Sequence, residues 1–279
     1  MSFRRGFDQH LKVLLKYKGT AKYVSVHAPS NLTIAHISDD AHQKFAEQCL
    51  ENIIKIAPNI DCKRVVFHGF YHVTELGNAI EVASLHNKAL SKCVESAKYL
   101  DRLCHEFGVK MCFENINAYV HLDRLYYLIF SASPYDLIEA TEEINSDTFK
   151  LCFDVAHAQN FCNFIQECRE MQALYGVTEL SVKDFFKIIS NKVDIIHLSD
   201  AKGSIAGPKG IEHLPLGEGE IDFEGLFEEI YKTNFSVPLV LETYEADVNN
   251  AVNMVAGRKY LNEMLRKTYN DSKNCPISL

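Results

Sequence analysis

Short runs of β-branched and apolar residues alternate along the chain with longer amphipathic segments. The short runs cover residues 22–27, 64–68, 109–114, 150–154, 193–197 and 238–242. The longer segments, which include 39–58, 87–108, 181–191 and 222–234, repeat apolar residues every three to four positions, as helices with one buried face do. Strands that alternate with helices predict parallel βα units, so the pattern favours the α/β class.

Each predicted strand ends in a residue that can bind a metal ion or move a proton. These six residues are His27, His68, Glu114, Asp154, His197 and Glu242. A buried parallel strand should be apolar throughout, and βα barrels keep their chemistry at the carboxyl ends of the strands. One polar strand end is usually a solvated loop residue or a satisfied core polar group. Six in succession indicate that the strand ends share one pocket.

The last four strand ends supply three carboxylates and one imidazole: Glu114, Asp154, His197 and Glu242. Such a set suits a divalent ion, namely Mn²⁺, Zn²⁺, Co²⁺ or Mg²⁺. Without a cation, carboxylates at one barrel mouth would repel and raise each other's pKa. We expect one ion here. His27 and His68 can complete a second site with Glu114 as the bridge, and His157 and His213 are further candidates.

The number of ions changes the predicted reaction. Two ions a few ångströms apart favour hydrolysis of a phosphodiester, whereas one ion that polarises a carbonyl and a hydroxyl favours proton transfer between adjacent carbons. The residue types alone allow both reactions.

The composition of the chain bears on the size of its core, its binding partners and its cellular compartment. With 279 residues, 47% of them hydrophobic, the chain can bury a sizeable core. The net charge of −8 and the absence of a Lys/Arg-rich run lower the expectation of nucleic-acid binding, although a local basic patch remains compatible with it. Nine cysteines without a C-x-x-C pair indicate a reducing compartment. Because the chain also has no signal peptide and no long apolar run, we expect a cytoplasmic protein without membrane contact.

No linker or change in composition divides the sequence, so we predict one domain over residues 1–279. Within it, residues 1–21 form an N-terminal helix in place of the first βα units, and residues 268–279 form a tail. Residues 119–140 carry Tyr and Phe at helical spacing and are expected to pack in the core or act as a lid. His72 is placed in a loop beyond the strand that ends at His68.

Seven motifs between about residue 20 and residue 245 carry a resemblance to a known family. They are SVHAPSNL, VVFHGFYH, CFENIN, CFDVAHA, HLSDAKG, EHLPLGEGEIDF and PLVLET. In this order the chain resembles the xylose isomerase-like TIM barrels, which include sugar-phosphate isomerases, epimerases and endonuclease IV. The resemblance implies a (β/α) TIM-type barrel.

The two branches of that superfamily imply different roles for the strand ends. For the epimerase branch, one metal is held by Glu114, Asp154, His197 and Glu242. There, Glu114 and Glu242 also act as bases on either face of an enediolate, and His157 contacts the substrate. For the endonuclease branch, three zinc ions are bound: the first by His27, His68 and Glu114, the second by Glu114, Asp154, His197 and Glu242, and the third by His157 and His213.

Two loop residues complete the set of candidates. Lys202, in SDAKGS, can hold a phosphate, although an exposed lysine in a loop usually has no specific partner. Glu218 lies in the LGEGE segment, which borders the substrate in the family.

This chain departs from the endonuclease pattern at two places. Endonuclease IV has an Asp two residues before the histidine of its H-x-x-LGEG segment, whereas this chain has Ile211 there. We expect the third ion to lose a ligand unless Glu212 turns inward, because neighbouring strand residues point to opposite faces.

Only about 21 residues precede the first predicted strand, where the family has two more strands and a DNA-inserting loop. We therefore expect a barrel that is incomplete or irregular at its N-terminus, and a homodimer is one way to cover its open edges.

Three functional hypotheses follow. The first is a metal-dependent sugar or sugar-phosphate isomerase or epimerase that works by proton transfer through an enediolate. The alternative is a zinc-dependent AP endonuclease that acts on DNA with two or three ions. The third is a non-catalytic relative that binds a metal or a sugar.

Overall fold

The computed structural model describes residues 12, 15–16, 18–30, 32–35, 39–69, 71–73, 79–117, 119–122, 125–128, 130–204, 211–233, 237–247 and 249–269. Its strands, numbered in chain order, are β1 (Ser25–His27), β2 (Arg64–His68), β3 (Tyr71–Val73), β4 (Lys110–Glu114), β5 (Tyr119–Leu122), β6 (Leu125–Leu128), β7 (Phe149–Asp154), β8 (Val193–Leu198), β9 (Asp200–Lys202), β10 (Ile211–Leu214) and β11 (Leu239–Leu241). Its helices are α1 (Asp40–Ile56), α2 (Ala79–Phe107), α3 (Pro134–Ile144), α4 (Val155–Glu167), α5 (Arg169–Tyr175), α6 (Val182–Ile189), α7 (Phe223–Lys232) and α8 (Val252–Tyr269), with short 3₁₀ turns at Ala57–Ile60 and Ser190–Lys192.

The main sheet is parallel and follows the order of the chain. Its six strands run β1-β2-β4-β7-β8-β11, and every neighbouring pair is parallel. The six predicted strands all form, and the predicted α/β barrel class is confirmed. The runs at 64–68, 109–114, 150–154 and 193–197 are strands to within one residue of the predicted bounds. The first and last strands are shorter than predicted.

Two small antiparallel sheets were not predicted. In the first, β6 pairs with both β3 and β5. Residues 119–122 and 125–128 are therefore strands despite the helical spacing of their aromatic residues, and His72 lies in a strand rather than in the predicted loop. Short runs of aromatic and apolar residues fit either a strand or a helix, and here the antiparallel pairing decides in favour of strand. The second small sheet pairs β9 with β10.

Within the described residues, the main sheet ends at β1 on one side and at β11 on the other. A cavity of about 510 Å³ lies between these edges and is lined by residues of both, including Val24, Ser25 and Leu239–Leu241. Val255 and Leu261 of α8 line the same cavity. The described sheet is therefore a partial barrel whose two edges face each other across a gap. A homodimer that covers these edges stays a prediction.

The inside of the barrel explains how the strand ends line up. A small apolar cluster there consists of Val66, Cys112, Cys152 and Ile195, with Val240 packed against it. Side chains two residues apart on a strand share a face. The residues two positions further along these five strands are His68, Glu114, Asp154, His197 and Glu242. The candidate ligands thus form the next layer on top of an apolar floor.

The described part of the chain bears on two other expectations. Its eight cysteines are free thiols. None of its helices is long and apolar enough to cross a membrane. The expected N-terminal helix over residues 1–21 lies mostly outside the described residues, and the expected tail over 268–279 begins within α8, which continues to Tyr269.

A buried carboxylate between helices gives a test of the packing. Asp136 of α3 is 1% exposed, lies 3.5 Å from His86 Nε2 and accepts a hydrogen bond of 2.8 Å from the Tyr175 hydroxyl. Burial raises the pKa of Asp136 to about 7, even though the His86 charge and the Tyr175 hydroxyl lower it.

Because the folded state holds this proton more tightly, its contribution to stability is present at low pH and is lost as the pH rises to about 7. Between pH 5 and pH 8 we expect the free energy of unfolding to fall more in the wild type than in Asp136→Asn, by up to about 3 kcal/mol. Urea denaturation at both pH values measures this difference. Glu142→Gln, an exposed change on the same helix, should behave like the wild type; an equal fall in Asp136→Asn would contradict the prediction.

Candidate metal centre

Four of the predicted ligands meet at one point. Each of them offers a nitrogen or oxygen atom, and these atoms all lie within 4.8 Å of one another: Glu114, Asp154, His197 and Glu242. Three of these residues are buried, and the side chain of Glu242 is 37% exposed. The arrangement can therefore surround a single cation, with Glu242 on the solvent side.

The two carboxylate oxygens of Asp154 are in different environments. Helix α4 begins immediately after β7, and Asp154 Oδ1 caps it by accepting a hydrogen bond of 2.7 Å from the backbone N–H of His157. The side-chain amide of Asn115 fixes the backbone of Asp154, since it donates to the carbonyl at 2.7 Å and accepts from the N–H at 2.8 Å. Asp154 Oδ2 is buried and has no hydrogen-bond partner in the described part of the chain. Oδ1 thus caps the N-terminus of α4, and Oδ2 is available to bind a ligand.

Glu114 connects this cluster to a second one. Its Oε2 lies 2.9 Å from the Nε2 atoms of both His27 and His68, and these three residues form another group of atoms within 4.8 Å. Its Oε1 lies 2.8 Å from His197 Nδ1. Because Glu114 is fully buried, both oxygens are directed at imidazoles rather than at water. The carboxylate has the position of a bridge between two cation sites.

The histidines around Glu114 lower the pKa of its carboxyl group. Burial alone raises its pKa, but the charge and close contact of His197 and the hydrogen bonds of His27 and His68 hold the pKa well below its usual range. Burial also raises the pKa of Asp154, against the lowering effect of the His157 charge. Burial likewise raises the pKa of Glu242, but its contact with His197 brings the net pKa below the usual range. The site therefore needs positive charge to hold three carboxylates together.

Backbone carbonyls select which nitrogen of each histidine can bind a metal. Nδ1 is bonded to Ala28 O in His27 at 2.5 Å, to Asn115 O in His157 at 2.8 Å and to Glu242 O in His213 at 2.9 Å. A carbonyl oxygen only accepts, so the proton sits on Nδ1 in each ring. In the neutral ring, Nε2 then has its lone pair available for a ligand, as in metal sites with an outer hydrogen-bond partner.

A third cluster lies next to the first two. It consists of His157, Glu212 and His213, whose ligand atoms lie within 4.8 Å of one another. The ring centroids of His157 and His213 are 5.2 Å apart, and those of His157 and His68 are 6.4 Å apart. Glu212 thus turns inward, which is the exception that the sequence expectation allowed, and Ile211 is exposed on the surface.

An extra residue in β10 explains the position of Glu212. Ile211 pairs with Lys202 and Leu214 pairs with Asp200, so the register between β10 and β9 shifts at this place. His213 has a φ of 55°, in the left-handed region. A bulge of this kind turns side chains that would otherwise alternate. Glu212 and His213 can thus face the same cluster although they are neighbours in sequence.

Unsatisfied atoms support the assignment of these clusters to metal ions. His68 Nδ1, Glu114 Oε1, Asp154 Oδ2, His197 Nδ1 and Glu242 Oε2 are buried and have no hydrogen bond of acceptable geometry within the described residues. His197 Nδ1 nevertheless touches both Glu114 and Glu242. Buried polar atoms without partners are rare in folded proteins, and convergent nitrogen and oxygen atoms fit Zn²⁺ or a similar divalent ion.

Sequence reasoning missed one residue of the site, and two of its candidates, which were predicted to bind substrate, lie on the surface and stay predictions. Cys152, which lies two residues before Asp154, forms a further group with Glu114 and His197. The period of two along β7 was the signal that could have found it. Lys202 and Glu218 are exposed, and Glu218 belongs to none of the ligand groups found among the described residues.

The LGEGE turn that carries Glu218 is shaped by Asp200. The Asp200 carboxylate accepts backbone hydrogen bonds from Gly217 and Gly219, both at 2.9 Å. A Cβ atom at Gly219 would lie 2.2 Å from Asp200 Oδ1, so this position requires glycine. The turn leads into α7, which is capped by Asp222.

Residues 8–264 match the family model described as xylose isomerase-like TIM barrel. An uncharacterized protein of Methanocaldococcus jannaschii is 23% identical over 205 residues, which make up 74% of this chain and 64% of that protein. A probable endonuclease 4 of Mycoplasma pneumoniae is 27% identical over 224 residues, 78% of this chain and 67% of that protein. The chain thus spans about two thirds of the length of these curated relatives.

Solved structures share the fold. The crystal structure of a D-tagatose 3-epimerase-like protein superposes with a TM-score of 0.70 at 21% identity, over 94% of this chain and 84% of that one. A crystal structure of the IolI protein with a bound zinc atom gives a TM-score of 0.65 at 14% identity, over 92% of this chain and 82% of that one.

The shared position of Glu114 predicts how metal content responds to mutation. After loading with zinc and dialysis, we expect the wild type to hold at least about two ions per chain and His68→Ala to hold about one fewer. Glu114→Gln should lose more than His68→Ala because it contributes to both clusters. Elemental analysis measures these contents, with His105→Ala, an exposed histidine on α2, as the control. Equal losses in Glu114→Gln and His68→Ala would contradict a bridging role.

Proposed function

Because the chain belongs to the xylose isomerase-like TIM-barrel family, we propose that it is a metal-dependent phosphodiesterase of the endonuclease IV type. We further propose DNA with an abasic site as its substrate. That family contains both sugar isomerases or epimerases and endonuclease IV-like enzymes. The choice between these branches depends on the surroundings of Glu114.

The observation that carries the proposal is the pair of histidines on Glu114 Oε2. His27 and His68 come from β1 and β2 and each place Nε2 2.9 Å from this oxygen. An isomerase that uses one ion needs only one oxygen of Glu114 as a ligand. It does not need two more histidine nitrogens at the other oxygen, Oε2. In a site for two ions, each oxygen of Glu114 has its own cluster. Two-ion sites stabilise the attacking and the leaving oxygen of a phosphodiester together.

The same contacts argue against Glu114 as a base. A base that removes a proton from carbon needs an oxygen within reach of the substrate. Glu114 is 0% exposed, and its two oxygens lie 2.8 to 2.9 Å from three imidazoles. Its low pKa, which the histidines hold down despite burial, also reduces its strength as a base.

The residues of the site have two functions in this proposal, metal binding and proton transfer. His27, His68, Glu114, Asp154, His197 and Glu242 would hold two ions, and bound divalent ions supply a Lewis acid and a water of lowered pKa. Glu242 is the cluster carboxylate that solvent reaches, with 37% of its side chain exposed. It is therefore the residue best placed to orient water and to accept a proton. Asp154 and His197 are buried and hold their positions from strand ends.

The relatives support the choice of substrate. Curated relatives named probable endonuclease 4 share 23 to 27% identity with this chain. The net charge of −8 means that DNA affinity must come from the ions and from local contacts. We therefore expect binding that weakens steeply with salt.

Cleavage of a labelled duplex that contains an abasic analogue tests the proposal. The zinc-loaded protein should nick this duplex and leave the matched intact duplex uncut. We expect Glu114→Gln to lower the rate by at least about 100-fold, because several kcal/mol of charge stabilisation depend on the bridged ions. Glu220→Gln changes an exposed carboxylate outside the clusters and should keep the rate. Absence of cleavage by the zinc-loaded wild type would refute the proposal.

A sugar or sugar-phosphate isomerase or epimerase is the second candidate. The likeness to a D-tagatose 3-epimerase-like structure and the contact of both Glu114 and Glu242 with His197 Nδ1 favour it. In this case the manganese- or cobalt-loaded protein should exchange deuterium from solvent into a ketose, and Glu242→Gln should abolish the exchange. If neither cleavage nor exchange occurs in the metal-loaded protein, a non-catalytic binding role is the better account.

A further inference from the structure

The third cluster is held by a carboxylate that stands at an unexpected place in the sequence. Glu212 lies beside His213 in β10 and reaches the cluster because the strand contains a shift of register. Its side chain is 29% exposed, and its Oε2 lies 3.6 Å from His157 Nε2. A half-exposed glutamate with three rotatable bonds has many conformations available to it. Something must therefore select the inward one.

A chain of two buried amides ends on Glu212. The Asn117 side-chain N–H donates to Glu212 Oε2. Asn160 Nδ2 in turn donates to Asn117 Oδ1 at 3.1 Å. Asn117 is 6% exposed and Asn160 is 1% exposed, so water does not compete for these bonds. Because Asn117 must present its oxygen to Asn160, its N–H groups are directed at Glu212.

Helix α4 ties this chain to the metal ligands. Asn160 follows His157 by three residues, so both lie on the same face of α4. Asp154 caps the start of the same helix and contributes to the first cluster, with Glu114, His197 and Glu242. One rigid helix therefore positions an imidazole directly and a carboxylate through Asn117. Ligand carboxylates in metal sites are commonly fixed by outer hydrogen bonds of this kind.

We propose that Glu212 is the carboxylate ligand of a third ion, shared with His157 and His213, and that Asn117 and Asn160 are positioning residues which hold it inward. This rests on the proposed multinuclear site, because it adds an ion beside the bridged pair. The bulge in β10 thus compensates for the hydrophobic Ile211. Asn160 takes no part in binding the ion and acts only through Asn117.

Metal content without substrate tests this inference separately from activity. Glu212→Gln removes the charged ligand from a partly exposed position, so the fold should persist. Asn160→Asp keeps the shape of the side chain but replaces the donor with an acceptor, which turns the Asn117 amide and directs its oxygen at Glu212. We expect each variant to hold about one zinc ion fewer than the wild type, because outer-partner changes weaken metal binding about 10- to 100-fold.

Asn163→Asp is the matched control. Asn163 lies three residues further along α4 and donates a hydrogen bond of 2.6 Å to Glu220, which belongs to none of the ligand groups. This variant makes the same chemical change on the same helix and should keep all its zinc. Melting temperatures of the metal-free proteins should agree among the wild type, Asn160→Asp and Asn163→Asp. A structural role for Asn160 alone would lower the melting temperature and leave the zinc content unchanged.

The zinc contents of these variants distinguish a wrong ligand assignment for Glu212, a wrong role for the amide chain and a wrong proposed function. A full zinc content in Glu212→Gln would overturn Glu212 as a ligand. Loss of zinc in Glu212→Gln but not in Asn160→Asp would overturn the amide chain. If Asn160→Asp does not fold, Asn117→Ser carries the same expectation and decides in its place. If the wild type binds two ions and Glu212→Gln also binds two, only the third site fails, whereas a wild type without zinc would refute the proposed function itself.

Discussion

The buried carboxylate of Glu114 is the constraint on which the site depends. It is fully shielded from water and carries one imidazole from each of β1, β2 and β8 within 2.9 Å. Removing an ionised carboxylate from water costs several kcal/mol even after relaxation. The fold can keep it there only if strand ends far apart in sequence deliver positive charge to both oxygens. The sheet register, the apolar floor below and the histidine tautomers all serve that requirement.

Much of this arrangement was predictable, and the reasons are local. Parallel strands buried on both faces leave a clear signature, and the polar residues that end the runs are the six that the structure brings together around Glu114. Asp154 was identifiable because a core strand gains nothing from a carboxylate at its end. The alternation of side chains along each strand also places the apolar layer directly below the ligands, where Cys152 Sγ lies within 4.8 Å of ligand atoms of Glu114 and His197.

The remaining features depend on backbone detail that residue types do not encode. Glu212 reaches the third cluster through a register shift and a positive φ at His213, and nothing in EHLPL signals a bulge. The β5–β6 hairpin carries tyrosines whose spacing also fits a helix, and its pairing with β3 is set by tertiary contacts. Asn117 and Asn160 gain their importance from a mutual contact across 43 residues of sequence.

The fold explains how one family holds two kinds of chemistry. The strands from β4 onward supply a cluster that suits either reaction, whereas β1 and β2 add the histidines on the second oxygen of Glu114. In the proposed site, the difference between one ion and a bridged pair therefore lies in the first two strands of the described sheet, next to the open edge at β1.

Anomalous X-ray diffraction at the zinc absorption edge, from crystals of the zinc-loaded protein, tests the bridging role of Glu114 most directly. The account predicts two strong anomalous peaks beside Glu114, one at each oxygen of its carboxylate, with His27 and His68 on one peak and His197 on the other; the ion proposed at His157, Glu212 and His213 would give a separate peak. A single peak among Glu114, Asp154, His197 and Glu242, with His27 and His68 unligated, would contradict it.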